Sequence, residues 1–388
     1  MGELEGNNNI TSERVKAYQV FLKPVGSSCN LRCSYCYYLG KRNCSALKRP
    51  ANMSEDILER FIIQHFETTE DDVINFSWHG GEPLIAGLSF FRRAIKLQNK
   101  HLPPGKKVVN GIQTNGTLIN SEFCSFFSDN GFVAGISIDG PANLHDLYRK
   151  TPDGKGSFER VLKGFELLKK FEITTEILCV VHSGNVDHPD LIYDFFKQLG
   201  ALYITFLPLV IRNGLNSDVS TDSVVALDFG LFLSKIFDQW VEHDIGRIKI
   251  QIFEEMLRPA FDQEHTLCIF KKECGRVPVV DFNGDFYSCD HYVDEHHMIG
   301  NISEGHLSGF LESEEQKEFG RAKYKQLPGY CKSCNVRPMC NGECPKNRFI
   351  STPDGEDGLN YLCKGYKYFF NHCLPFIGAV REAWKNQK

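Results

Sequence analysis

Cys29, Cys33 and Cys36 stand in a C-x3-C-x2-C loop, CNLRCSYC, directly after the apolar run VFLKPV. Three thiolates in one short loop can hold an iron–sulfur cube by three of its irons and leave the fourth open to a ligand. Structural zinc is the competing reading, but zinc takes four closed ligands, and no Cys or His stands nearby at finger spacing. The nearest thiol is Cys44, in a charged, loop-like stretch. Downstream, eight more cysteines crowd together: Cys268, Cys274, Cys289, Cys331, Cys334, Cys340, Cys344 and Cys363. Their spacings are C-x5-C-x14-C, then C-x2-C-x5-C-x3-C, then the last in NYLC. Eight thiolates suffice for two fully ligated cubes. Zinc ribbons also use C-x2-C pairs, although the longer spacings here are not ribbon-like.

Asp290 follows Cys289 directly in SCDHY, so ligation of Cys289 would fix a carboxylate beside a cluster, where it can take a proton from a substrate hydroxyl or thiol. His291 or Asp294 could do that work instead, or Asp290 could simply accept a neighbouring amide. The SCDHY context favours Asp290.

These groups need elements to position them. Between residues 18 and 210 six β-branched or aromatic-rich runs, VFLKPV, VINFSWHG, VVNGIQTNG, GFVAGISIDG, ITTEILCVV and YITFLPLV, each precede a helix-compatible stretch. Strand alternating with helix predicts a parallel sheet with right-handed crossovers. Ser54, Ser121 and Ser157 are the expected N-caps of three of the helices. Six repeats fall short of the eight of a closed barrel, so the expected α/β architecture is a partial, splayed (β/α)6 TIM-like barrel, with its site at the carboxyl ends of the strands.

The polar motifs fall there: His79–Pro83 (HGGEP) after the second strand, Gln113–Gly116 after the third and Ser137–Pro141 (SIDGP) after the fourth. Gly80 and Gly81 would let backbone approach a ligand, with Glu82 either beside them or capping a turn. Arg149 could pair with a ligand carboxylate while Ser137 reaches a hydroxyl, or the two could be a surface ion pair and a turn former. The expected division is an extension over 1–17, the partial barrel over 18–215, a helical bridge over 216–261 and a cysteine-rich region over 262–388. The last carries a hairpin signal at Asn283-Gly284 and a small core that metal would have to hold together.

The 388 residues carry a net charge of −5 and 42% hydrophobic content, with no basic run interleaved with aromatics, so nucleic acid is not an expected partner. The N-terminus MGELEGNNNITSERVK lacks the apolar stretch of a signal peptide, and Gly6 stands where myristoylation needs Ser or Thr. No apolar run approaches the roughly 18 residues of a membrane span. The expected compartment is the cytoplasm. Fifteen cysteines there argue for metal ligation or redox work rather than disulfides, with Cys179 in EILCVV reading as a buried structural thiol.

CNLRCSYC, with Tyr35 before its last cysteine, resembles the loop of the radical S-adenosylmethionine (SAM) superfamily. The resemblance implies a [4Fe–4S] cluster whose unique iron is chelated by SAM, which it splits to a 5′-deoxyadenosyl radical. HGGEP then resembles the motif that seats the SAM methionyl group, and Tyr35, Gly80, Gly81, Glu82, Ser137, Arg149 and Val210 match SAM-binding positions. Val210 alone would read as core packing. The later cysteines resemble the SPASM extension with two auxiliary [4Fe–4S] clusters. That pattern assigns Cys268, Cys274, Cys289 and Cys344 to the nearer cluster, and Cys331, Cys334, Cys340 and Cys363 to the farther.

CNLRCSYCYY, HGGEPL, IQTNGTLI, SIDGP with HDLYRK, FNGDFYSCDHY, CNGECPKNRF and GLNYLCKGY together resemble anaerobic sulfatase-maturating enzymes from about residue 18 to 372. His79 stands where some relatives have Gln. The resemblance implies three [4Fe–4S] clusters, SAM, an electron donor such as flavodoxin or ferredoxin, and an unfolded or nascent sulfatase polypeptide as substrate. A Ser or Cys in its C/S-x-P-x-R motif would become Cα-formylglycine, with Asp290 as base. A SPASM peptide maturase that makes thioether or carbon–carbon crosslinks shares every ligand motif, although residues 1–17 are too few for the N-terminal peptide-binding domain such enzymes often carry. A non-catalytic iron–sulfur electron-transfer protein would leave the open iron and the strand-end motifs unexplained.

Overall fold

The computed structural model describes residue 15 and residues 18–39, 52–214 and 218–386. Cys44, Gly6 and most of the 1–17 extension lie outside the described residues. The six expected strands are present as β1 (Phe21–Leu22), β2 (Val73–Trp78), β3 (Lys107–Thr114), β4 (Phe132–Ser137), β5 (Thr175–Val181) and β6 (Tyr203–Pro208). Each pairs in parallel with the next. In β2, Ile74, Phe76 and Trp78 are buried while Asn75 and Ser77 face the other way, the alternation that a strand with one covered face requires.

The sheet does not stop at six. β7 (Lys249–Ile250) continues it beyond β6, while β8 (Val279–Val280), β9 (Asp285–Tyr287) and β10 (Met298–Asn301) extend it past β1, in the order β10-β9-β8-β1-β2-β3-β4-β5-β6-β7. β8 runs parallel to β1, with Phe21 beside Val279, and the Asn283-Gly284 turn leads into antiparallel β9. The outermost pair carries a bulge between Met298 and Gly300.

Two expectations about helices change. Asn120 rather than Ser121 caps Ser121–Asp129, because its side chain already accepts from the Phe123 amide at 2.9 Å. Ser157 precedes Phe158–Lys170, but its hydroxyl donates to the Arg149 carbonyl, and Asp146 accepts from the Ser157 and Phe158 amides. Ser54 caps Glu55–Thr68 as expected, accepting from the Ile57 amide.

Helix Ala226–His243 is more than a bridge. Its Phe229, Phe232, Leu233, Ile236, Phe237 and Trp240 join the main core, which also takes in Phe369 and Phe370 of the terminal helix Cys363–Lys385. The C-terminal region likewise shares that core through Val280, Phe286, Leu307 and Met339, and keeps only a small cluster around Leu327, Cys331 and Leu359 to itself. Among the described residues no helix is long and apolar enough to cross a membrane.

The two helices cross at Gly230 and Gly365, where a Cβ on Gly230 would overlap the Gly365 carbonyl oxygen. Gly230→Ala should therefore lose about 1–3 kcal/mol to overpacking, against the roughly 1 kcal/mol that Ala gains in helix propensity. Gly309→Ala, with open space around it, should not be destabilised. Denaturant midpoints of the two variants check this.

His65 offers a second test. It is buried, accepts from Tyr18 Oη at 2.9 Å and donates to the Asn75 carbonyl at 3.0 Å. Burial pulls its pKa down to about 4. The folded value lies below the unfolded one near 6.5, so the stability it allows is complete above about pH 6.5 and is lost as pH falls toward 4. Thermal unfolding between about pH 7 and pH 5 should cost the wild type about 2 kcal/mol more than His65→Gln, which keeps a donor and an acceptor but does not titrate.

Candidate active site and metal centres

The loop that follows β1 is held by the backbone around it. The Arg32 and Ser34 amides donate to the carbonyls of Lys150 and Tyr148, and the Cys36 amide closes a turn on Cys33. Cys29 Sγ accepts from the Leu31 amide at 3.4 Å and from Asn115 Nδ2 at 3.6 Å. Burial pushes the Cys33 thiol up to about 12, with the Arg149 charge opposing and Cys36 and Cys29 adding to it, so the three thiols share one electrostatic neighbourhood.

Gly80 and Gly81 give the second strand end its close approach to this loop. A Cβ on Gly80, whose φ is 116°, would lie 2.6 Å from the Gly26 carbonyl oxygen, and one on Gly81 would overlap Ser28. The Gly81 and Glu82 amides donate to the Gly26 and Ser28 carbonyls. Glu82, fully buried, caps the turn after it: Oε1 accepts from the Leu84 amide and Thr114 Oγ1, and Oε2 from the Asn115 amide at 2.7 Å. Its carboxylate braces the end of β2 against that of β3, and burial raises its pKa to about 7.

Arg149 is buried rather than on the surface. Its Nε and Nη2 donate to the two oxygens of Asp139 at 2.7 and 3.0 Å, a bidentate pair that also takes the Tyr35 hydroxyl at 2.6 Å. Burial works against the Asp139 charge, but Arg149 outweighs it and holds the carboxyl below its ordinary value. Ser137 Oγ accepts from Gln113 Nε2 at 3.4 Å, at the end of β4. Val210 lies just past β6, half-buried against the main core.

Asp290 is the meeting point of the barrel and the cysteine-rich region. Lys23 Nζ, buried at the end of β1, lies 2.5 Å from its Oδ1. Tyr38 donates to both oxygens at 3.0 and 3.1 Å, Tyr37 donates to Oδ2, and His79 Nδ1 stands 4.0 Å away. Burial pushes the Asp290 pKa up, yet Lys23, His79 and these hydrogen bonds outweigh it and hold the carboxyl well below the usual range. Sequence reasoning missed Lys23, Tyr37, Tyr38 and Asp139. The available signal was a lysine inside the apolar run VFLKPV.

The eight later cysteines separate into two groups. Burial raises the Cys289 thiol to about 12, with Cys268 and Cys274 adding to the shift, and Cys344 feels Cys289. Cys331, Cys334, Cys340 and Cys363 line one cavity with Tyr330, Arg337 and Lys367. Zinc would draw its ligands to about 2.0–2.3 Å from one ion, and among the described residues no three Cys, His, Asp or Glu converge in that way. A cube attaches each thiolate to a separate iron, so thiols facing one another across a cavity fit it.

A family model described as the radical SAM superfamily matches residues 24–196, and one described as an iron–sulfur cluster-binding domain matches 268–335. The chain is 42% identical over 387 residues to the serine-type anaerobic sulfatase-maturating enzyme of Bacteroides thetaiotaomicron, covering 96% of this chain and 93% of that one. It is 33% identical to the cysteine-type enzyme of Clostridium perfringens, covering 92% and 96%. Native anSMEcpe with bound AdoMet aligns with a TM-score of 0.85 at 32% identity, over 94% of this chain and 99% of that one.

The grouping of thiols makes the metal content divisible. Cys29→Ala, Cys274→Ala and Cys340→Ala should each lower the iron of anaerobically reconstituted protein from about twelve to about eight per chain, each by loss of a different cluster. Iron analysis with electron paramagnetic resonance (EPR) spectra of the three variants reads this out.

Proposed function

The chain belongs to the anaerobic sulfatase-maturating enzymes of the radical SAM superfamily, and on that footing we propose that Asp290 is the base in its reaction. That reaction is the oxidation of a Ser or Cys side chain of a sulfatase polypeptide to Cα-formylglycine. When bound, SAM and the cluster at Cys29, Cys33 and Cys36 supply hydrogen-abstracting radical chemistry, and the clusters on the two later cysteine groups supply an outlet for an electron.

Turning CH2–OH into an aldehyde removes one hydrogen from carbon, one proton from oxygen and one further electron. The proton is the part that falls to this chain's own side chains. The observation that carries the assignment is the Asp290 carboxylate held between Lys23 and the Tyr37 and Tyr38 hydroxyls, next to Cys289. Those donors also make it a weak base, so the proton moves to it only as the electron leaves and the oxygen becomes a carbonyl. With a Cys substrate the thiol proton takes the same route, and the thioaldehyde is then hydrolysed.

Tyr35, Gly80, Gly81, Glu82, Ser137, Arg149 and Val210 would hold SAM, with the Glu82 carboxylate fixing the turns after β2 and β3 and Asp139 fixing Arg149. The substrate segment is a C/S-x-P-x-R stretch of an unfolded or nascent sulfatase. The electron donor is a small carrier of the flavodoxin or ferredoxin type, and fifteen cysteines suit work in a reducing cytoplasm.

Anaerobically reconstituted protein given SAM, dithionite and paired Ser-x-P-x-R and Cys-x-P-x-R peptides should yield hydrazine-reactive aldehyde. Asp290→Asn should slow aldehyde formation by about 10²–10³-fold while SAM is still cleaved. Undiminished aldehyde from the variant would remove Asp290 from the reaction, and crosslinked peptide in place of aldehyde would replace the whole reading.

A further inference from the structure

Lys323, on helix Glu314–Lys325, is only 1% exposed. An ammonium taken out of water costs several kcal/mol unless an opposite charge lies close. Its Nζ donates to the carbonyl oxygens of Cys268 and Ile269, each at 2.8 Å. Among the described residues no carboxylate pairs with it. The groups that act on it are the thiols of Cys274, Cys268 and Cys344, with Arg348 opposing, while burial lowers its pKa.

Apart from the Asp290 carboxylate beside Cys289, the other charges near the later cysteines are shared between the two groups or part-exposed. Arg348, anchored on the carbonyls of Gly342, Asn341, Glu343 and Lys323, acts on Cys274 of one group and on Cys331 and Cys340 of the other. Glu343, buried and held by Asn347 and Asn360, acts on Cys268 and on Cys340. Lys367 serves Cys334 and Cys363 from a part-exposed position beside Tyr330, where water screens it. Among the described residues Lys323 is the buried cation whose charge falls on the first group, whereas Lys271 and Lys346 reach Cys268 and Cys344 from half-exposed positions.

We propose that Lys323 is the built-in countercharge of the site formed by Cys268, Cys274, Cys289 and Cys344, and would raise the reduction potential of the nearer auxiliary cluster held there. The inference rests on the reading that Cys268, Cys274, Cys289 and Cys344 ligate that cluster. An electron taken up there would add one negative charge to the cluster those thiols hold. A fixed ammonium in a low-dielectric surround stabilises that added charge far more than one in water would.

The test is EPR-monitored potentiometry of the fully reconstituted chain and its variants, with iron counted in each. Cys274→Ala identifies the nearer cluster's signal; if no signal is lost, the ligand reading has failed rather than the role of Lys323. Lys323→Met should shift the nearer cluster's reduction equilibrium about tenfold toward the oxidised form, 59 mV lower for one electron. The farther cluster should not move, and Lys323→Arg should stay near wild type. An unchanged potential, an equal shift in both clusters, or a rise, as expected if Lys323 only excluded water, would overturn the proposal. If neither Lys323→Met nor Lys323→Gln holds the nearer cluster, loading of Lys323→Arg alone shows that the site requires the charge. Failure of the arginine variant as well would reduce Lys323 to shaping the Cys268 turn.

Discussion

β1 is two residues long, and both of its edges are taken. β2 pairs on one side and β8 on the other, both parallel, and the Lys23 and His79 amides extend the same hydrogen bonding to Val280 and Leu22. Three parts of the site therefore share one backbone frame: the cysteine loop that continues from β1, the HGGEP turn after β2, and the hairpin after β8 that delivers Cys289 and Asp290. The Lys23–Asp290 pair closes that frame in side chains. A buried ion pair is a poor source of stability, and the value of this one lies in setting a carboxylate's charge and place.

Charge follows the same logic elsewhere. Arg149 with Asp139 and Lys23 with Asp290 each put a buried cation against a carboxylate, and Lys323 stands buried on the carbonyls of Cys268 and Ile269. The hydroxyls of Tyr35, in the cysteine loop, and of Tyr37 and Tyr38, directly after it, complete two of these arrangements, so the segment that presents thiols also orients the carboxylates around them.

The sequence carried the parts of this molecule whose signal is local. Cysteine spacing, the strand-end motifs and six strands with β-branched or aromatic runs all lie within short windows, and each was readable there. β7, with two residues, is too short to show a period, whereas β8 and β9 are legible as strand–turn–strand around the Asn283-Gly284 hairpin signal. The pairing of Phe21 with Val279 joins residues far apart in the chain and leaves no trace in either segment. Lys23 and Asp139 escaped for the same reason, because a lysine in VFLKPV and an aspartate in SIDGP acquire their roles only from partners brought in by the fold. The helix inside the expected bridge over 216–261 packs into the main core, which the sequence does not tell because an amphipathic helix does not reveal which surface it covers.

The pairing of β8 with β1 also settles where the sheet ends. Without β8, β9 and β10, the bare hydrogen-bonding edge would be β1 itself, beside the most reactive loop of the protein and ready to accept a strand from another chain. The C-terminal strands move that edge outward to β10, which is short, antiparallel and bulged, the features by which natural sheets discourage edge-to-edge aggregation. The cysteine-rich region therefore covers a sheet edge as well as seating metal, and a barrel cut free of it would lose that cover together with Asp290.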